Sequence, residues 1–265
     1  MTLSITEITS AREKTGLVLS GGGARGFAHV AVLEALEANN VQIDYIAGTS
    51  MGAVAGALYA SGLSATEVRE KLLSVDWNST LRDVTDRNER SFRNKSFEGR
   101  NFLGLDLGVA PGDVRLPLAA LRGQKLALAL NSLTLETATV TDFDALPIPF
   151  RAMATDLATG DAVVLGRGSL ATALRASMAV PVVYSPVEID GRLYVDGGVA
   201  NNLPVDVARD MGADRVIVVD TSSLRYSTNE LTSVVTVVDQ LTNLLTRRNT
   251  AVSYTHLTLP TKRIV

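Results

Sequence analysis

The 265-residue sequence contains no cysteine, two histidines (His29 and His256) and one tryptophan. Without cysteine, disulfides, thiolate catalysis and Cys-ligated zinc are excluded. Any His-built metal site or His-relayed triad can draw only on His29 and His256. No long run carries one sign of charge: 25 basic residues face 28 acidic ones, for a net charge of −3. An extended phosphate-binding face is therefore not expected, which argues against a nucleic-acid partner. Met1 to Lys14 carries both signs of charge and lacks the apolar core of a signal peptide. Localisation stays open between the cytoplasm and export as part of a longer secreted chain. The longest uncharged apolar run, Tyr45 to Ala60, is short for a membrane span and is broken by Gly48, Gly52 and Gly56. What is present is a chain 46% hydrophobic and 20% charged, a composition that folds. It is long enough for one large domain or two small ones with an ample core.

Apolar periodicity places the elements. Gly16 to Leu19 reads as a buried strand, Gly21 to Gly26 as a turn, and Ala28 to Ala38 as a helix with Val32, Leu33 and Leu36 at helical spacing. Ile43 to Ala47 is a second buried strand, followed by the small-residue helix Ala53 to Ala60. Strand–helix–strand–helix with short links implies a parallel sheet covered by helices. Ser64 to Leu73 is a helix with a capping box between Ser64 and Glu67. Residues 76–112 break the pattern. Arg82 to Arg100 holds six basic and four acidic residues, and Phe102, Leu103, Leu105 and Leu107 follow. This stretch reads as an irregular excursion, either a solvated loop or a cover over a site. With Phe92 and Phe97 among its arginines, it is a candidate peripheral membrane contact. Farther on come a helix from Gly123 to Leu133 and strands from Ile148 to Ala154 and Ala162 to Leu165. A helix runs from Ser169 to Met178 and stops before Pro181. A hairpin turns at Asp190-Gly191, and a buried strand spans Val216 to Val219. An amphipathic helix covers Leu231 to Leu245.

Three glycine-bearing motifs carry chemistry. Gly21-Gly22-Gly23-Ala24-Arg25-Gly26 fits G-x-G-x-x-G between a strand and a helix. It suits a dinucleotide, with Asp44 downstream for a ribose contact. It equally suits an oxyanion hole, since bare amides at a helix start stabilise developing negative charge. Gly48-Thr49-Ser50-Met51-Gly52 fits the G-x-S-x-G nucleophile elbow, whose sharp turn needs glycine on both flanks of the serine. Asp196-Gly197-Gly198 follows a hairpin strand. Alone it reads as a surface turn, but a serine nucleophile needs a base and histidine is nearly absent. His29 lies on the first helix and reads as a packed helix residue. His256 lies in Ser253 to Val265, a stretch that looks like a translated sequencing-adapter tail. A carboxylate is thus the expected partner of Ser50.

Taken together, GGGARG (21–26), GTSMG (48–52) and DGG (196–198) resemble the oxyanion loop, nucleophile elbow and catalytic-aspartate loop of the patatin-like phospholipase family, in order and spacing. Arg175-Ala-Ser-Met-Ala-Val-Pro181 and Asn201-Asn-Leu-Pro204 extend the resemblance, which runs from about residue 15 to about 250. Ser20 departs from the aspartate that many members carry there. The resemblance implies an α/β fold, a three-layer α/β/α sandwich with a mainly parallel central sheet. It also implies one acyl-hydrolase domain over 15–250, with 1–14 as an N-terminal extension; the adapter-like stretch 253–265 reads as a non-native tail. In some bacterial members a secretion barrel follows the hydrolase domain. By position, Ser50 is the implied nucleophile and Asp196 the implied base. Gly21, Gly22, Gly23, Ala24, Arg25 and Gly26 make the implied oxyanion hole, with the amides of Gly22, Gly23 and Ala24 or Arg25 as its donors. Gly48 and Gly52 flank the elbow, and Gly197 and Gly198 follow the aspartate. The implied substrates are phospholipids or lysophospholipids, with no metal or other cofactor. Leu58, Met51 and the Phe102 to Leu107 stretch are candidates for an acyl channel. Two other readings stay open: a nucleotide-binding protein using GGGARG with Asp44, and a catalytically idle lipid-binding domain.

Overall fold

A computed structural model of the chain describes residues 12–83, 108–110, 113–115, 119, 121–222 and 229, and singly 240, 244, 246, 250, 253 and 254. Strand β1 (Thr15–Leu19) leads into helix α1 (Ala28–Ala38), strand β2 (Tyr45–Thr49) and helix α2 (Met51–Ala60). Helix α3 (Ala65–Leu73) follows. It starts at the expected capping box, in which Ser64 accepts the Glu67 N–H and the Glu67 carboxylate accepts the Ser64 N–H. The short helix α4 (Trp77–Arg82) precedes a small antiparallel ribbon, β3 (Gly108–Ala110) with β4 (Asp113–Arg115). Then come α5 (Gln124–Leu133), β5 (Phe150–Asp156), β6 (Ala162–Leu165) and α6 (Leu170–Ser177). The chain continues through β7 (Val187–Ile189), β8 (Arg192–Asp196), α7 (Val205–Asp210) and β9 (Arg215–Val219). Most of the excursion at 76–112, including Phe102 to Leu107, and most of the helix expected at Leu231 to Leu245 lie outside the described residues. Gln240 and Leu244, the two described residues of that helix, are helical.

The sheet runs β7-β8-β5-β2-β1-β9, with β6 also paired to β5. Its centre, β9-β1-β2-β5, is parallel, and β6, β7 and β8 add an antiparallel edge. Strand alternation sends side chains to two faces, and each face has its own core. Leu17, Leu19, Ile46 and Phe150 pack with Leu33 of α1, Val54 and Leu58 of α2, Val68 and Leu72 of α3, and Leu126 and Leu130 of α5. Val18, Ala47 and Met153 face the other way, against Leu203 and against Val205, Val207 and Ala208 of α7. Helices on both faces of a sheet with a parallel centre make the three-layer α/β/α sandwich. Full burial of side chains such as Leu33, Leu58 and Phe150 contributes roughly 1.5–3 kcal/mol each.

Two strands run past their expected ends. β2 reaches Thr49 because Gly48 and Thr49 keep pairing, with Ala152 and Met153 of β5. β5 reaches Asp156 because Thr155 and Asp156 pair with Val195 and Tyr194 of β8. Ladder partners set these ends, whereas the apolar pattern stops earlier. The hairpin at Asp190-Gly191 forms as expected, with both residues at positive φ (51° and 76°), the backbone of a two-residue primed turn. Among the described residues, no helix is long and apolar enough to cross a membrane.

Candidate active site

Strand register brings the candidate residues together across 146 positions of sequence. Thr49 pairs with Met153 of β5, so Ser50 emerges level with Ala154. On that same edge of β5, just past the end of β2, Asp196 pairs with Ala154 itself, while β6 takes the opposite edge. The ends of β2 and β8 therefore meet head-on beside Ala154, which sets Ser50 next to Asp196. There Ser50 Oγ donates a hydrogen bond to Asp196 Oδ2 at 2.9 Å.

Ser50 occupies a backbone conformation that L residues avoid, φ 52°, ψ −123°, at a cost of roughly 1–3 kcal/mol. The neighbours enforce it. A Cβ on Gly52 would lie 2.4 Å from the carbonyl oxygens of both Leu19 and Ser20, and one on Gly48 would lie 2.7 Å from the Ala53 backbone. The elbow is thus pressed against the ends of β1 and α2. The Ser50 N–H donates to Ser177 Oγ at 2.8 Å.

Asp196 is held at every polar atom. Oδ1 accepts the Gly198 N–H at 2.7 Å. The Asp196 N–H donates to the Ala179 carbonyl at 2.9 Å, and the Asp196 carbonyl accepts from Thr155 Oγ1 at 2.9 Å. The residue is buried. Burial pushes its carboxyl up to about 6, although the Gly198 N–H and the Ser50 hydroxyl both favour the charged form. An aspartate with such a value titrates near the range of a free imidazole. Thr246 Oγ1 donates to the Gly198 carbonyl at 3.0 Å and so closes over the aspartate loop.

The six residues of the GGGARG loop do not contribute alike. The Gly21 N–H is spent on Asn202 Oδ1 at 3.0 Å, and the Arg25 N–H on the Gly22 carbonyl at 3.2 Å. Gly26 is buried within the 3-10 turn Gly23–Phe27, against Met51. Of the residues assigned to the oxyanion hole, Gly21, Arg25 and Gly26 are therefore supports of the loop, and Ala24 rather than Arg25 is left beside Gly22 and Gly23. Among the described residues, the amides of Gly22, Gly23 and Ala24 have no hydrogen-bond partner. Gly23 sits at φ +55°, with nothing within 4 Å of where its Cβ would stand. The loop is propped from behind: the Thr221 N–H donates to Ser20 Oγ at 2.8 Å, and Arg25 Nε donates to the Thr221 carbonyl at 3.3 Å.

His29 is wholly buried in α1, with Nε2 2.8 Å from the Ser20 carbonyl. That contact requires the ring to donate, and burial lowers its pKa. His29 is a buried prop beneath the loop, held to it through the Ser20 carbonyl. His256 lies outside the described residues. Met51 and Leu58 are core residues, each 1% exposed.

The dinucleotide arrangement does not form. Gly16 pairs with Tyr45 and Leu19 with Gly48, so Asp44 lies at the start of β2, about 15 Å along the strands from the loop that follows β1. Its carboxylate accepts the Thr15 N–H at 2.7 Å and pairs with Arg12. Among the described residues, no group of three or more His, Asp or Glu gathers as metal ligands.

Four supporting residues carry no chemical signature of their own in the sequence: Ser177, Asn202, Thr155 and Thr246. Ser177 and Asn202 lie in the RASMAVP and NNLP segments already noted. Thr155 and Thr246 are threonines whose hydroxyls matter only because of what the fold sets beside them.

The patatin-like phospholipase family model matches residues 17–209. An uncharacterized NTE family protein of Mycobacterium tuberculosis is 35% identical over 211 residues, covering 79% of this chain and 49% of that protein. The human patatin-like phospholipase domain-containing protein 6 is 32% identical over 210 residues, covering 78% of this chain and 13% of that protein. The chain thus spans about half the length of the mycobacterial relative, and less of the human one. The crystal structure of VipD from Legionella pneumophila aligns with TM-score 0.49 and 19% identity over 78% of this chain and 50% of that one. On the match of the family model and of these relatives, the chain belongs to the patatin-like phospholipase family.

Proposed function

We propose that the chain is a serine acyl hydrolase that cleaves fatty-acyl esters of phospholipids or lysophospholipids through Ser50 and Asp196. The observation that carries this reading is the 2.9 Å hydrogen bond from a strained serine hydroxyl to a buried aspartate. Unpaired amides of the neighbouring glycine loop add support. In the reaction, Asp196 takes the Ser50 proton as Oγ bonds to the acyl carbon and the carbonyl π electrons move onto oxygen. The N–H groups of Gly22, Gly23 and Ala24 receive that oxyanion. As the intermediate collapses, the ester C–O bond breaks and Asp196 returns the proton to the leaving alcohol, which leaves an acyl-serine. Water then adds to the acyl carbon with Asp196 again as base, and the fatty acid departs as Ser50 regains its proton.

Aspartate is intrinsically a weaker base than histidine, and its raised pKa narrows that gap. Preorganised donors at the oxyanion supply much of the remainder, roughly 2.7–4 kcal/mol for one such donor in a protease. The lipid character of the substrate rests on membership in the family. The test is fatty-acid release from lysophosphatidylcholine micelles and phosphatidylcholine vesicles by the wild type and Ser50→Ala. Release that Ser50→Ala abolishes is expected. Release by both proteins equally, or by neither while both are folded, contradicts the reading and favours a lipid-binding role.

A further inference from the structure

Both members of the Ser50–Asp196 pair are tied by their main-chain N–H groups to the end of α6. Ser177 Oγ accepts the Ser50 N–H at 2.8 Å. Two residues on, the Ala179 carbonyl accepts the Asp196 N–H at 2.9 Å. Neither contact belongs to a strand ladder. They cross from helix to elbow and from helix end to aspartate loop, so residues 177–179 span the pair. Ser177 is wholly buried.

The helix that carries it is itself fixed at both ends. Ser169 caps its start by accepting the Thr172 N–H. Arg175 is buried in its last turn. Its guanidinium donates to the Arg122 carbonyl at 3.1 Å and lies over the Tyr184 ring at 5.2 Å.

Ser50 leaves β2 in a strained conformation. Its N–H, turned away from the ladder and buried, needs an acceptor at that one place. We propose that Ser177 is a positioning residue: its hydroxyl oxygen, by holding the Ser50 N–H, fixes the nucleophile in line with Asp196. The inference rests on the reading of Ser50 and Asp196 as a catalytic pair. Ser177 has no part in binding the substrate, so its removal acts on the chemical step. Loss of the acceptor leaves a buried N–H unpaired and lets the elbow relax toward ordinary backbone angles, which lengthens the Ser50–Asp196 contact.

The test follows covalent labelling by an alkyl fluorophosphonate, resolved into the binding constant KI and the first-order rate kinact. The proteins are the wild type, Ser50→Ala, Ser177→Ala, Ser177→Cys and Thr134→Ala. Thr134 is a comparably buried hydroxyl that bonds the Leu130 carbonyl and neither member of the pair. Expected is a kinact about ten- to a hundredfold lower in Ser177→Ala, with KI within about twofold of wild type. Ser177→Cys, which keeps a weak acceptor, should fall between, and Thr134→Ala should stay near wild type. A folded Ser177→Ala protein with kinact within about threefold of wild type overturns the inference. So does an equal loss in Thr134→Ala, or an effect confined to KI. If Ser177→Ala does not fold, wild-type kinact in Ser177→Cys overturns it. Labelling of Ser50→Ala at the wild-type rate instead refutes the catalytic pair, and the inference with it.

Discussion

Replacing Asp196 by asparagine should abolish activity and yet stabilise the protein above neutral pH. The buried carboxyl is pushed up to about 6 from the ordinary 3.8 of an aspartate. The folded protein therefore holds this proton more tightly than the unfolded chain. The favourable contribution is complete below the unfolded pKa and fades as pH rises through about 6. Above that, folding must bury a carboxylate. The interval between the two values corresponds to about 3 kcal/mol. Asparagine has the shape of the neutral acid and can accept the Gly198 N–H in place of Oδ1, so it avoids this cost. At roughly 2–4 °C per kcal/mol for a chain of this size, Asp196→Asn should melt up to about 10 °C above wild type at pH 8. The gap should close near pH 4, where both side chains are neutral. All other ionisable groups are shared, so the difference between the two melting curves across pH isolates this one. A variant less stable than wild type at pH 8, or a gap that does not change between pH 4 and 8, would refute the argument.

The same group sets the pH profile of the reaction. Because only the carboxylate accepts the Ser50 proton, kcat/KM should rise with pH through about 6 and level off above it, as a pH–rate series will show. Gly23→Pro should lower fluorophosphonate labelling by roughly a hundredfold or more, since proline removes a donor and cannot adopt φ +55°. Gly23→Ala, which enters open space, should lose about tenfold or less. Gly52→Ala should destabilise the fold by about 1–3 kcal/mol or more. Its Cβ meets two backbone oxygens at 2.4 Å that cannot move without breaking β1 from the elbow, and thermal melting will report it.

Much of the architecture was legible because it rests on local pattern. The helix at Ala28–Ala38, the Ser64–Glu67 capping box, the strand at Ala162–Leu165 and the Asp190-Gly191 turn each follow from residues close in sequence. What was not legible depends on register. Nothing between residues 45 and 49 announces that Thr49 pairs with Met153, and that pairing sets Ser50 level with Asp196. The ends of β2 and β5 were misplaced for the same reason. The three motifs were visible, but which of Ala24 and Arg25 keeps a free amide beside Gly22 and Gly23 was not, since it depends on the turn in which the Arg25 N–H bonds the Gly22 carbonyl. Nor does the sequence show what occupies the Gly21 amide: Asn202, whose side chain reaches the loop from 181 residues away. Ser177 and Thr246 carry ordinary serine and threonine chemistry, and only the fold gives their oxygens something to hold.

The central claim is that Ser50 is activated by Asp196. Its most direct test is the intact mass of the folded protein after treatment with an alkyl fluorophosphonate, for wild type, Ser50→Ala and Asp196→Asn side by side. One phosphonyl adduct on wild type, mapped to Ser50 and absent from both variants at pH 8, is the expected result. An adduct that persists in Ser50→Ala, or one that forms in Asp196→Asn at the wild-type rate, would contradict the account.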